Sequence, residues 1–386
     1  MTIYDDLRQH SDPTERLDRL IEHFRDQRRA AELFEAVKMR TRQQLGLPLV
    51  ADDSEPARGE DIERQLEMGL LDACRQSGTM MIQDGQIGQG WMYLRPTGDT
   101  ELAKQLIDDV ECTDENYDEL IQVLLHEGVD IGRGLRLMLD RQGTCNSITT
   151  YQQTIVQRSR PDRLAAAKTM LHHFYGELCQ AVRDDISRRE APAGDDETLL
   201  QMLDTRPDLL SGGGYHLDTT HIASVVQIAQ LVEDPEDIQK AYELTQYGRR
   251  MHFQFQYPGE EPFKDFYPAY HAYYSVLRGE DVEEGLRYFQ TKAETLDPMQ
   301  HGTAPIETYV DLLRRTGQPL IAITAATSLV PEGVPPARIM PLLLDLAKQT
   351  PPEQRSEAAQ QITEFCEKRG DLLSYIATLT DVASST

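Results

Sequence analysis

The sequence predicts an all-α protein of stacked antiparallel helical hairpins that form an α-α superhelix. Three observations carry this expectation. Apolar residues recur at the helical period along most of the chain. Connections between the periodic segments are short, and several end in Gly or Pro, as antiparallel neighbours require. Strand-like alternation is nearly absent, and the β-branched run Ile148-Thr149-Thr150-Tyr151 is too short to found a sheet.

Residues 1–60 read as an N-terminal helical pair and a polar linker, the linker covering 46–60. A middle block follows over 61–190. There Tyr117, Leu120, Ile121, Leu124 and Leu125 fall at i, i+3, i+4, i+7 and i+8, one stripe of a helix. Thr113 is its expected N-cap, with Asp114 and Glu115 favoured in the first turn by the helix dipole. A second helix is expected from about Asp130 through Leu135, Met138 and Leu139. A third starts at Thr144 and carries Ile148, Tyr151 and Ile155. The longest follows Pro161, where Leu164, Leu171, Tyr175, Leu178, Val182 and Ile186 make a seam for neighbouring helices. A second polar break at 188–197 opens the C-terminal block, 191–386. Helices are expected there at 219–232, 236–252, 265–278, 281–296, 304–316, 318–328, 337–349 and 353–368.

Charge bounds the partners. The formal net charge is −26, so phosphate backbones and anionic membrane surfaces are repelled, and nucleic-acid and membrane binding are not expected. No run approaches the roughly 20 apolar residues of a membrane span. The opening residues, Met1 to Asp6, lack the basic and apolar regions of a signal peptide. The five cysteines are widely spaced with no CxxC, which suits a reduced, cytoplasmic setting. Residues 99–130 hold eleven Asp and Glu against one Lys, whereas 132–168 hold seven Arg and Lys against two Asp. Mutually attracting, solvated helix faces account for this; a basic rim for an anionic ligand is the sharper alternative.

The segment Glu283-Glu284-Gly285-Leu286-Arg287-Tyr288-Phe289-Gln290-Thr291-Lys292-Ala293-Glu294-Thr295-Leu296-Asp297-Pro298 resembles the second helix of a tetratricopeptide repeat. It has the acidic start, the aromatics, Lys-Ala and the closing Leu-Asp-Pro. It departs from the family by one residue inserted before Lys292 and by Gly285 where alanine is usual. Weaker echoes lie at Gly85 to Ala103, with Trp91, and at Ala241 to Arg250. The resemblance covers on the order of a third of the chain, without the regular repeat period. It implies stacked hairpins, each covering its neighbour's apolar face and leaving a concave side. Gly285, Ala229 and Ala241 are small enough to let helices approach closely.

Two stretches can carry chemistry. The first is Gly212-Gly213-Gly214-Tyr215-His216-Leu217-Asp218-Thr219-Thr220-His221. Two imidazoles and a carboxylate, His216, Asp218 and His221, form a candidate site for a divalent metal, the expected cofactor of a hydrolase or lyase reading. Asp218 serves equally as the N-cap of the following helix, with His221 beside its apolar stripe. The second stretch is aromatic: of 25 Tyr and Phe in the chain, 12 fall between Tyr247 and Phe289. Here Tyr215, Arg249, Arg250, Tyr257, Tyr270 and His271 are the expected ligand-binding residues, with a protein, peptide or small polar ligand as partner. Tyr257 and His271 are also the candidate acid/base groups of the enzyme reading. Packing rings that wedge a long loop between hairpins would explain the same residues. Cys145 with His172 is a further conceivable nucleophile pair, and His173 with Glu177 a helix-surface pair. No glycine-rich phosphate loop is present, so nucleotide chemistry is not expected.

Overall fold

The computed structural model describes residues 2–51, 58–194 and 196–381, with the backbone alone at 336 and 337. The 46–60 linker thus lies partly outside the described residues, as does Asp195 of the second break. The protein is all-α. Among the described residues, β pairing is confined to one isolated bridge, Pro258 with Asp265. The chain forms two compact units that divide at Thr169 and Met170, inside its longest helix. Among the described residues, no helix is long and apolar enough to cross a membrane.

The first unit opens with α1 (Ile3–Gln9), α2 (Pro13–Asp26) and α3 (Ala30–Gln44). Asp12 caps α2 by accepting the Thr14 N–H, and Pro13 at the first helical position loses no bond there. Next come α4 (Glu60–Gln83), α5 (Ile87–Leu94), α6 (Thr100–Asp108) and α7 (Tyr117–Ile121). Consecutive helices α2 through α5 pack on one another. Ile82, Ile87, Leu94, Ile107 and Leu120 gather into one buried cluster. The stripe from Tyr117 to Leu125 is buried as the period predicts. Thr113 is not its cap, however. The Asn116 side chain accepts the Thr113 N–H at 2.7 Å and donates to the Glu111 carbonyl at 2.9 Å, winding a turn before the helix begins at Tyr117. After Ile121 the helix loosens into a π-turn, where the Glu127 N–H reaches the Gln122 carbonyl at 2.8 Å.

Helix α8 (Ile131–Gln153) starts at Asp130, whose carboxylate accepts the Arg133 N–H at 3.0 Å. It breaks at Gly143, where φ is +78°, so Thr144 starts a second helical segment as expected. The segregated charges meet each other. Arg141 pairs with Asp114, and Arg133 pairs with Asp108 at 3.5 Å.

Helix α9 (Arg160–Arg189) carries the chain into the second unit. That unit continues with α10 (Leu199–Thr205), α11 (Thr219–Ile228), α12 (Pro235–Arg250), α13 (Phe266–Leu277), α14 (Val282–Thr295), α15 (Pro298–His301), α16 (Ala304–Arg315), α17 (Pro319–Leu329), α18 (Pro336–Gln349), α19 (Arg355–Arg369) and α20 (Leu372–Asp381). The predicted helices are present with boundaries shifted by a few residues. The short α10 and α15 and the terminal α20 were not foreseen. From α16 onward each helix packs on the next, and α17 with α19 and α18 with α20 pack across one intervening helix.

The tetratricopeptide-like segment is α14, which packs on α13 after the short connection Arg278–Asp281. A Cβ on Gly285 would stand 2.2 Å from Val276 Cγ2, so the small residue sets how closely these helices approach. Phe289 of α14 is fully buried, with ring centroids 5.4 Å from Phe263 and 6.1 Å from Tyr273. Phe289→Ala leaves a cavity at the centre of this ring cluster. We expect a loss of about 3–5 kcal/mol in chemical denaturation, with helical circular dichroism retained before the transition.

Candidate functional site

The aromatic segment leaves α12 at Met251 and enters α13 at Phe266. With little backbone pairing of its own, it is fastened by side chains. The Gln256 amide donates to the carbonyls of Gly248 at 3.0 Å and Met251 at 2.9 Å. The Phe263 N–H closes a turn on the Glu260 carbonyl at 2.7 Å; the Glu261–Pro262 peptide within it is cis. Gly259 donates its N–H to the Lys264 carbonyl at 3.2 Å. A Cβ on Gly259 would lie 1.8 Å from the Phe263 carbonyl oxygen, so only glycine permits this approach. Phe263 lies flat on Tyr270 of α13, with centroids 4.0 Å apart and ring planes 9° apart. Lys292 reaches from α14 to Glu261 at 2.7 Å.

This loop walls a cavity of about 520 Å³, with α13 as its floor and Gln227, Gln230, Glu307 and Thr308 across from it. Phe266 and Tyr270, one helical turn apart, present their rings to it. Tyr257 meets Phe266 edge-on at 5.1 Å yet remains 41% exposed. Tyr270 is only 2% exposed, lines the cavity, and makes no hydrogen bond among the described residues. Burial pushes its phenol well above the ordinary range, so the hydroxyl keeps its proton and can donate or accept.

Of the expected binding residues, the structure brings Tyr257 and Tyr270 together here. His271 instead faces the other flank of α13. It lines a cavity of about 280 Å³ with Asp265, Asp281, Glu284 and Tyr288. Its Nδ1 lies 3.2 Å from the Gln246 amide nitrogen, and its ring lies 5.0 Å from that of Tyr242. Tyr257 and His271, the candidate acid/base pair, therefore line different cavities. Arg249 and Arg250 line neither; both are exposed, and Arg250 pairs with Asp204 at 2.5 Å.

The glycine loop builds a third cavity, about 330 Å³, lined by Tyr215, His216, Asp185, Arg188 and Arg189. Tyr215 is 52% exposed and meets Phe255 edge-on at 4.9 Å. The His216 side chain is 6% exposed, its Nδ1 2.7 Å from the Tyr247 hydroxyl and its Nε2 3.3 Å from Asp185. Burial holds the imidazole below its ordinary pKa, and Asp185 offsets only part of this. At Asp185, burial pushes the carboxyl up, but hydrogen bonds from His216 and Arg188 and the charge of Arg189 outweigh it and leave the group lowered. Asp218 caps α11, accepting the backbone N–H groups of Thr220 at 2.8 Å and His221 at 3.4 Å. The expected ligand set of His216, Asp218 and His221 is therefore not assembled. Asp218 serves the helix terminus, and both nitrogens of His216 have other partners. Among the described residues, no three His, Cys, Asp or Glu gather as metal ligands.

In the remaining candidates, Cys145 is exposed, while the His172 ring meets the carboxylate of the buried Asp237, which also has Lys240 at 3.9 Å. His173 and Glu177 pair along α9 at 3.3 Å. A larger cleft of about 660 Å³ holds Arg278, Arg314 and Arg315. Each guanidinium is already engaged: Arg278 with Glu280 at 2.7 Å, Arg314 with Asp311 at 2.8 Å, and Arg315 with the Gln230 carbonyl at 2.8 Å. Sequence reasoning missed Asp185, Gln227, Gln230 and Glu307, which lie far along the chain from the aromatics and imidazoles they join. The Glu260-Glu261 pair, set between Pro258-Gly259 and Pro262, is a local signal that could have been weighed. No protein-family model matches the chain, and neither curated proteins nor solved structures provide a match.

His271 supplies a pH test. Burial, with the charges of Arg249 and Arg278, lowers its pKa from 6.5 to about 4. The unfolded chain therefore takes up this proton more readily than the folded one. The stability that depends on neutral His271 is present above about 6.5 and is lost as the pH falls towards about 4. We expect the His271 ring resonance to titrate at about 4, and its midpoint to rise in Arg249→Gln. A midpoint near the ordinary imidazole value would contradict this environment.

Proposed function

We propose that the chain is a tetratricopeptide-like helical-hairpin scaffold that binds a segment of a partner protein in the cavity beneath the aromatic loop. The observation that carries this reading is Tyr270. Its side chain is almost wholly buried, lines a cavity of about 520 Å³, and makes no hydrogen bond among the described residues. An occupant of the cavity would cut this hydroxyl off from water, and that desolvation costs free energy unless the occupant supplies a hydrogen bond. The volume falls within the common range of small-ligand sites and accommodates one or two side chains of a docked segment. The exposed Tyr257 ring at the rim offers an amphipathic contact of the kind that anchors interfaces. The packing of α17 with α19 and of α18 with α20 supports the repeat-like part of the reading.

An array of twelve-residue peptides, followed by fluorescence anisotropy on the best binders, tests the proposal. Selected peptides should bind, and Tyr257→Ala should weaken them about tenfold with an unchanged melting temperature, a loss of about 1.4 kcal/mol. Absence of any saturable binder, or binding indifferent to Tyr257→Ala, would overturn it.

A further inference from the structure

We infer that the aromatic cavity takes a cationic side chain, the guanidinium or ammonium of an arginine or lysine in a basic segment of the partner. The inference rests on the binding reading above and names its chemistry. None of the residues that line the cavity is Lys, Arg or His, whereas Glu260, Glu261 and Glu307 all contribute to it. Two of these carboxylates have cationic neighbours, Glu261 with Lys292 at 2.7 Å and Glu307 with Arg338 at 3.1 Å. Glu260 makes no ion pair among the described residues and stands exposed on the same loop as Tyr257. The rings supply the second element. A cation over a Tyr or Phe face is drawn to the negative side of the ring quadrupole, most strongly where water is excluded. The third element is the Tyr270 hydroxyl, which can accept a hydrogen bond from an N–H donor that enters the cavity.

An anionic group would have to approach these carboxylates with no basic side chain of the lining to receive it. A neutral aliphatic group would leave the Tyr270 hydroxyl unpaired. The net charge of −26 acts in the same direction, raising the local concentration of basic segments and speeding their encounter. A flexible basic segment thus fits by charge, by ring face and by hydrogen bonding together.

The test compares blocked peptides that share the best array sequence but carry arginine, lysine, norleucine or glutamate at the anchoring position. Each is titrated into the full chain at low and high salt. Arginine and lysine peptides should bind about tenfold more tightly than norleucine, and glutamate should be weakest. Glu260→Gln and Tyr270→Phe should each weaken the cationic peptides several-fold and leave norleucine binding unchanged, and added salt should narrow the gap. Tyr270→Phe keeps the ring and its stack on Phe263, so the fold is retained for comparison. Equal binding of norleucine and arginine peptides would overturn the cation assignment while leaving the peptide-binding reading intact. Loss of all four peptides would overturn the reading itself. Free spermidine binding more tightly than the peptides would overturn the assignment to a partner's side chain.

Discussion

The flat stack of Phe263 on Tyr270 is the constraint on which the candidate site depends. The segment between α12 and α13 has neither a helix nor a sheet to satisfy its backbone, so packing of its large side chains must hold it. An offset aromatic pair contributes about 0.5–1.5 kcal/mol beyond the area that it buries. Here it also fixes where the loop crosses α13. With Phe263 seated, the turn from Glu260 closes, Gly259 comes against the Phe263 carbonyl, and Lys292 can reach Glu261. Pro262 and Phe263 are buried while Phe253 and Tyr257 remain exposed. The loop therefore both plugs the helices and presents rings outward. Packed rings and exposed rings thus fall on different residues of one segment.

Helix α13 partitions two chemical environments. Phe266 and Tyr270, four residues apart, face an aromatic cavity rimmed by carboxylates. His271, Ala272 and Ser275 face a smaller one. On that second flank, burial and two nearby arginines hold His271 neutral well into the acid range. A neutral imidazole at this position can accept a hydrogen bond but does not bring a positive charge next to the aromatic cavity.

Elsewhere in the second unit, the buried polar groups serve the architecture. Glu243 is 2% exposed, yet it accepts the Tyr175 hydroxyl at 2.6 Å, the Leu200 N–H at 3.2 Å and the Gln239 amide at 2.8 Å. Its carboxylate thus sits at the positive end of α10, where backbone N–H groups would otherwise lack partners. His216 does similar work, tying the glycine loop to Tyr247 and Asp185. Such fully engaged groups have no remaining capacity for a ligand. Tyr270 differs in that its hydroxyl makes no hydrogen bond among the described residues and lies on a residue that lines a cavity.

Local physics alone determined the all-α class and most helix positions. The apolar stripe from Tyr117 to Leu125, the cap at Asp130 and the break at Gly143 depend only on neighbours within a few residues. Thr113 misled because residues 114–116 wind a separate turn, so the helix begins only at Tyr117. The short α10 and α15 carried too few periodic positions to be seen. The crowding of aromatics marked the segment that walls the candidate cavity, and Tyr257 and Tyr270, which line it, were legible from it. Tertiary structure alone decided that His271 points away from them, that His216 closes on Asp185 rather than on Asp218, and that Glu307 joins the cavity. Each of these depends on which residues distant in sequence are brought within a hydrogen bond's length. Helical periodicity sets the face of a single element, but the packing of one element on another chooses the partners.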